Sequence, residues 1–143
     1  MRSKYIALVC EHSSQTSISR ERSEYIAKEN VTGSKTIKEL AIELTVEITD
    51  TCDGIKGRTV FVNQLLRSCS SIGANVSEAK YAQSRADFVH KMEIALKECY
   101  ETEYWLEIMY KVGSFSHEKY KQFSDKCGSI RRKLIASITT AKA

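Results

Sequence analysis

The sequence predicts an all-α protein: an antiparallel up-down-up-down four-helix bundle behind an N-terminal extension. Three observations lead there. The 143 residues contain no proline and only six glycines, which permits long helices and disfavours a turn-rich β fold. From residue 34 onward, apolar residues recur at steps of three and four in four separate runs, the period of a helix with one buried face. Glycines or residues able to cap a helix flank these runs. The length fits one domain and suffices to bury a core without staples.

Residues 1–33 differ from the rest of the chain. Glu11–Ser19 is rich in Ser, Thr and Gln and has no helical period. Ser19–Asn30 has Glu and Arg three or four apart and suits a short helix, but its apolar content is thin. This segment reads as an extension, weakly ordered or docked, and 34–143 as the bundle. The first helix is expected from about Ser34 to Cys52, capped by Ser34 or Thr36 and buried through Ile37, Leu40, Ala41, Leu44, Ile48 and Cys52. Gly54 and Gly57 offer left-handed stops after it. The second runs from Thr59 to about Ala82. Gly73 in its middle costs roughly 1 kcal/mol relative to alanine, which a close approach of a neighbouring helix would offset. Ser84 with Asp87 has capping-box spacing and opens the third helix, which ends near Val112 before Gly113. Ser114 or Ser116 caps the fourth, which continues to about Thr140 with Tyr120, Phe123, Cys127, Ile130, Leu134 and Ile138 in phase.

Gln64–Ala79 carries two stripes. Leu65, Leu66, Cys69, Ile72, Gly73 and Val76 form one face, and Arg67, Ser71, Asn75 and Glu78 line the adjacent one. A solvated flank would show the same spacing. A polar line between two packed faces must instead find partners, because half-buried polar groups are costly without them. The line is therefore expected to face another helix or another subunit. Glu98, Glu101 and Glu103 on the third helix are the expected receivers of Arg67 and Asn75. Tyr100, Tyr104, Trp105 and Tyr110 lie off the main stripe of that helix, and a second aromatic surface suits a subunit interface.

Charge alternates along the chain. Counting Lys and Arg against Asp and Glu, residues 34–54 carry −3, 55–84 carry +3, 85–113 carry −2 and 114–143 carry +5, within a total of +4. In an up-down bundle each helix then lies between oppositely charged neighbours, which disfavours wrong arrangements more than it stabilises the right one. Lys119, Lys121, Lys126, Arg131, Arg132 and Lys133 form the densest basic region. It reads as a solvated helix face or as a nucleic-acid contact, since phosphate neutralisation needs clustered Lys and Arg.

Other chemistry finds little support. There is no P-loop, GxSxG or HExxH, so no enzymatic activity and no cofactor are expected. Asp87-x-x-His90 has the spacing of half a di-iron motif but no second copy, so no metal is expected. The five cysteines include no CxxC pair. Cys52, Cys69, Cys99 and Cys127 fall near apolar helical positions, which suggests buried thiols in a reducing compartment. No run approaches the roughly 18 apolar residues of a membrane span, and a cytoplasmic protein is expected.

Two stretches carry a resemblance. Leu66–Ala79 (LRSCSSIGANVSEA) and Ile94–Leu106 (IALKECYETEYWL) resemble the bacterial family encoded in intervening sequences of 23S ribosomal RNA genes. Arg67, Ser71, Ile72, Gly73, Ala74, Asn75, Val76 and Glu78 match its first motif; Ala95, Leu96, Glu98, Glu101, Thr102, Glu103, Tyr104, Trp105 and Leu106 match its second. The likeness spans roughly residues 35–142. Glu78-Ala79 stands where the family often has Glu-Gly, which displaces the expected helix stop, and 1–33 has no counterpart. The resemblance implies a four-helix bundle that assembles as a homopentamer around a channel, with no established enzymatic activity. A related family, the accessory variability proteins of diversity-generating retroelements, is more basic and binds nucleic acid and a reverse transcriptase. The expected function is a non-enzymatic, ring-forming bundle associating with RNA, ribosomal RNA included. The alternative is a protein-interaction scaffold or reverse-transcriptase accessory protein.

Overall fold

Side-chain caps start three of the four helices, and a left-handed backbone step starts the other. The computed structural model describes residues 33–143; residues 1–32, with the short helix expected over Ser19–Asn30 and with Cys10, lie outside the described residues. Helix α1, Ile37–Cys52, is capped by Thr36, whose hydroxyl accepts from Glu39 N while the Glu39 carboxylate accepts from Thr36 N. Of the two candidate caps, only Thr36 has a glutamate three residues on, so only it closes a capping box.

The turn after α1 differs from expectation. Gly54 is not left-handed. The left-handed residues are Gly57 at φ 76° and Arg58 at φ 57°, immediately before α2. The chain thus reverses at the entry to α2, Thr59–Ala79, rather than at the exit from α1. That helix also stops three residues short of Ala82. Tyr81 N and Ala82 N fold back to the carbonyls of Glu78 and Ala79, so the last residues form a tight turn. The chain then straightens to φ −152° at Ser84, the cap of α3, Arg85–Lys111. Ser84 Oγ accepts from Asp87 N, and the Asp87 carboxylate accepts from Gln83 N, a capping box displaced by one residue. Gly113 at φ 75° ends α3, with Ser114 N and Phe115 N returning to Met109 O. Ser116 caps α4, His117–Lys142.

The four helices form an antiparallel bundle, each packing on its chain neighbours, with α1 closing against α4. Leu44, Ile48, Leu65, Ile72, Leu106, Met109, Phe123, Ile130 and Leu134 are fully buried at its centre. Removing each such side chain from water contributes about 1.5–3 kcal/mol. Cys52, Cys69, Cys99 and Cys127 are buried free thiols. Gly73 serves the α1–α2 crossing: a Cβ there would sit 3.4 Å from Ala41 Cβ. Beside it, Thr45 Oγ1 lies 3.2 Å from the Cys69 carbonyl of α2. At the far end the Arg85 guanidinium donates to the carbonyls of Ala141 and Ala143, tying the start of α3 to the end of α4.

Candidate functional site

The α2–α3 seam gathers most of the polar line. Arg67 donates to Glu98 and Glu101 of α3 and to Gln64 of its own helix. Glu101 also accepts from Trp105 Nε1 at 3.2 Å. The Arg67 hydrogen bond, then that from Trp105, holds the Glu101 carboxyl below its ordinary value of 4.5. Glu78 pairs with Lys91 about three turns along the same seam. Asn75 departs from expectation. Its Nδ2 donates 2.9 Å to the Ser71 carbonyl one turn back, so it closes on its own helix and no glutamate of α3 receives it. A short amide side chain within reach of a carbonyl one turn back satisfies itself locally before it can cross a seam. Ser71 is half-buried.

The buried polar contact of the seam lies elsewhere. Ser68 and Thr102 are fully buried: Thr102 Oγ1 lies 3.0 Å from Ser68 Oγ across the seam and 2.8 Å from Glu98 O one turn back, and Ser68 Oγ donates to Leu65 O. Both residues sit in phase with the apolar stripes, Ser68 after Leu65 and Thr102 after Cys99. Small polar residues at core positions were the signal that could have found them.

Across α3–α4, Glu103 accepts from Arg131 Nε at 2.9 Å. The Arg131 guanidinium also lies 5.8 Å from the Tyr100 ring centre, a cation–π contact. Tyr100 and Tyr104 remain 50% and 56% exposed, one turn apart on the outer side of α3. Trp105 is drawn inward instead, stacked on Phe61 of α2 and met edge-on by Tyr104. Tyr110 stacks on Tyr120 at 4.8 Å. Between these contacts runs an open groove of about 630 Å³ with Tyr104, Glu107, Tyr120, Gly128, Arg131 and Arg132 on its walls.

The basic residues of α4 do not share one face. Consecutive positions point about 100° apart, so Arg131, Arg132 and Lys133 diverge. Arg131 turns to Glu103, Lys126 pairs with Glu47 of α1, and Lys119 sits 5.7 Å from the Phe123 ring. Lys121 and Arg132 are exposed, Arg132 reaching Ser129 of its own helix, while Lys133 is half-buried. His90 is exposed and Asp87 is occupied as a cap residue.

The sequence and the fold of the bundle are similar to those of known proteins. The model of a family described as 23S rRNA-intervening sequence protein matches residues 34–136. The chain belongs to this family. A crystal structure of a protein of unknown function from the S23 ribosomal protein family of Bacteroides thetaiotaomicron is 40% identical, with a TM-score of 0.69 over 72% of this chain and 98% of that one. No curated protein matches significantly. In this chain, the two motif stretches form the two sides of one seam. Arg67 meets Glu98 and Glu101, and Ser68 meets Thr102. Among the described residues, no helix is long and apolar enough to cross a membrane.

Proposed function

We propose that this chain is a non-enzymatic bundle that assembles with copies of itself into a ring, a pentamer by the family resemblance, and associates with RNA. The observation that supports self-association is the pair of half-exposed tyrosines, Tyr100 and Tyr104, one turn apart on the outside of α3 beside the groove. Aromatic side chains that leave so much ring in water are enriched where a protein surface is covered by another. Light scattering should return a mass several times 16.2 kDa, and Tyr100→Ser with Tyr104→Ser should lower it. A wild-type mass near the single-chain value would reject assembly.

Support for RNA association comes from the family's description and from the outward cations of α4. Because Lys126 and Arg131 are neutralised within the bundle, phosphate contact falls to Lys119, Lys121 and Arg132. Binding of ribosomal RNA fragments should weaken with salt, and each of Lys121→Gln and Arg132→Gln should reduce the log–log salt slope by about 0.7–0.9 per protomer contact. Arg131→Gln should instead lower stability more than affinity. Binding indifferent to salt and to these changes would reject the RNA part. The scaffold or reverse-transcriptase accessory reading draws on Val60 and Tyr81, 68% and 85% exposed at and just beyond the ends of α2. It predicts purified protein free of RNA and a protein partner whose recovery falls with Val60→Ser or Tyr81→Ser, at and just beyond opposite ends of α2.

A further inference from the structure

We infer that Cys99 and Cys127 form a dithiol–disulfide pair, converted by a peroxide into a covalent staple between α3 and α4. The helical spacing assigns these cysteines only to the core. The tertiary structure brings their sulfurs to 3.4 Å, with both side chains fully buried. The two residues are also cross-bonded: Cys99 Sγ lies 3.5 Å from Cys127 O, and Cys127 Sγ lies 3.6 Å from Cys99 O. That reciprocity sets the two backbones level, so the side chains face each other instead of passing at different heights. A disulfide needs sulfurs about 2.05 Å apart, so closing the bond requires both thiols to turn toward each other from 3.4 Å.

Burial sets the conditions. The neighbouring Cys99 thiol and the apolar surroundings disfavour the Cys127 thiolate, which is the reactive form. In the closed bundle the pair is therefore slow to react, and oxidation proceeds when the α3–α4 seam opens. The thiolate of one cysteine then attacks hydrogen peroxide and the O–O bond breaks. A sulfenic acid forms, and the displaced oxygen takes up a proton as water. The sulfur of the second cysteine attacks the sulfenic sulfur. The S–S bond forms, and the hydroxyl leaves with the second thiol's proton as water. Two thiols lose two electrons, and the peroxide is reduced to two waters.

The staple joins positions 28 residues apart, spanning the α3–α4 turn, and so restricts the unfolded chain. It sits beside Tyr100 and Glu103 on α3 and one turn from Arg131 on α4, so it fixes the wall spacing of the groove.

The test uses the full chain with Cys10→Ser, so that any linkage arises among the four buried thiols. Folded protein is exposed to hydrogen peroxide, denatured, alkylated and mapped by peptide mass. The expected map shows a Cys99–Cys127 linkage, with Cys52 and Cys69 alkylated, and a rise in Tm that dithiothreitol reverses. Full alkylation of all four thiols, conversion to sulfinic acids without linkage, or linkage through Cys52 or Cys69 would overturn the inference. In a Cys127→Ser variant the peroxide-dependent rise in Tm should vanish, and its persistence would count against the pair. Should that variant not fold, the peptide map decides alone.

Discussion

Arg67 faces two carboxylates, yet half of its side chain stays in water. At 49% exposure, solvent screens both pairs, and together they contribute well under ~1 kcal/mol. Their pH signature is still readable. Glu101 holds its proton less tightly in the folded chain than in the unfolded one. The stability it adds is complete above the unfolded value of 4.5 and is lost as the pH falls through the lower folded value. Glu101→Gln should lower Tm slightly at neutral pH, where the ionised carboxylate is in place, and converge on the parent as the pH falls below 4.5. Arg67→Ala should act through the same window. The Ser68–Thr102 pair is the opposite case, fully buried and neutral. Ser68→Ala and Thr102→Val should each cost about 1 kcal/mol, because each removes the polar contact across the seam, while the surviving hydroxyl keeps an acceptor on its own helix, Glu98 O or Leu65 O. The double variant should cost less than the sum, with a measurable coupling in a denaturation cycle. Strict additivity would mean the two hydroxyls ignore each other.

At the scale of the element, Gly73 and the caps matter most. α1 and α2 approach closely where Ala41 meets Gly73. Gly73→Ala gains helix propensity of about 1 kcal/mol and meets Ala41 Cβ at 3.4 Å, so its stability should stay within about 1 kcal/mol of the parent. Gly73→Leu has no such room and should destabilise by roughly 1–3 kcal/mol, read by chemical denaturation. Thr36→Ala removes the capping box of α1 and should cost about 0.5–2 kcal/mol. The helix spans were legible because each run kept one period and three of the four carried a capping residue at the start. The exit of α2 was not, since Ala82 and Tyr81 suit a helix as well as a turn. Only the demand of Ser84 for an extended backbone ends it earlier.

For the whole molecule, the alternating charge of the helices becomes cross-helix pairing: Lys126 with Glu47, Arg131 with Glu103, Lys142 with Glu93 and Arg67 with Glu98 and Glu101. These pairs weigh little in energy but agree with one order of helices. The core carries the stability. Leu134→Ala, at a fully buried site of α4, should cost about 2–5 kcal/mol and melt the bundle cooperatively. The same pairing explains why a dense basic run need not be a nucleic-acid surface. Two of its six members are already neutralised by acidic neighbours that composition cannot place opposite them.

By itself the sequence determined four helices, their buried faces, most of their caps and the seam in which Arg67 would find carboxylates. Those features obey local rules: period, capping and the cost of an unpartnered polar group. The tertiary structure alone decided which polar groups cross a seam and which turn back. Asn75 closed on its own helix, while Ser68 and Thr102 met inside the core. It also decided that Cys99 and Cys127 stand level, sulfur to sulfur. Such pairings depend on the axial stagger of one helix against the next, and that stagger is set by the packing of all four helices together, not by the period within any one of them.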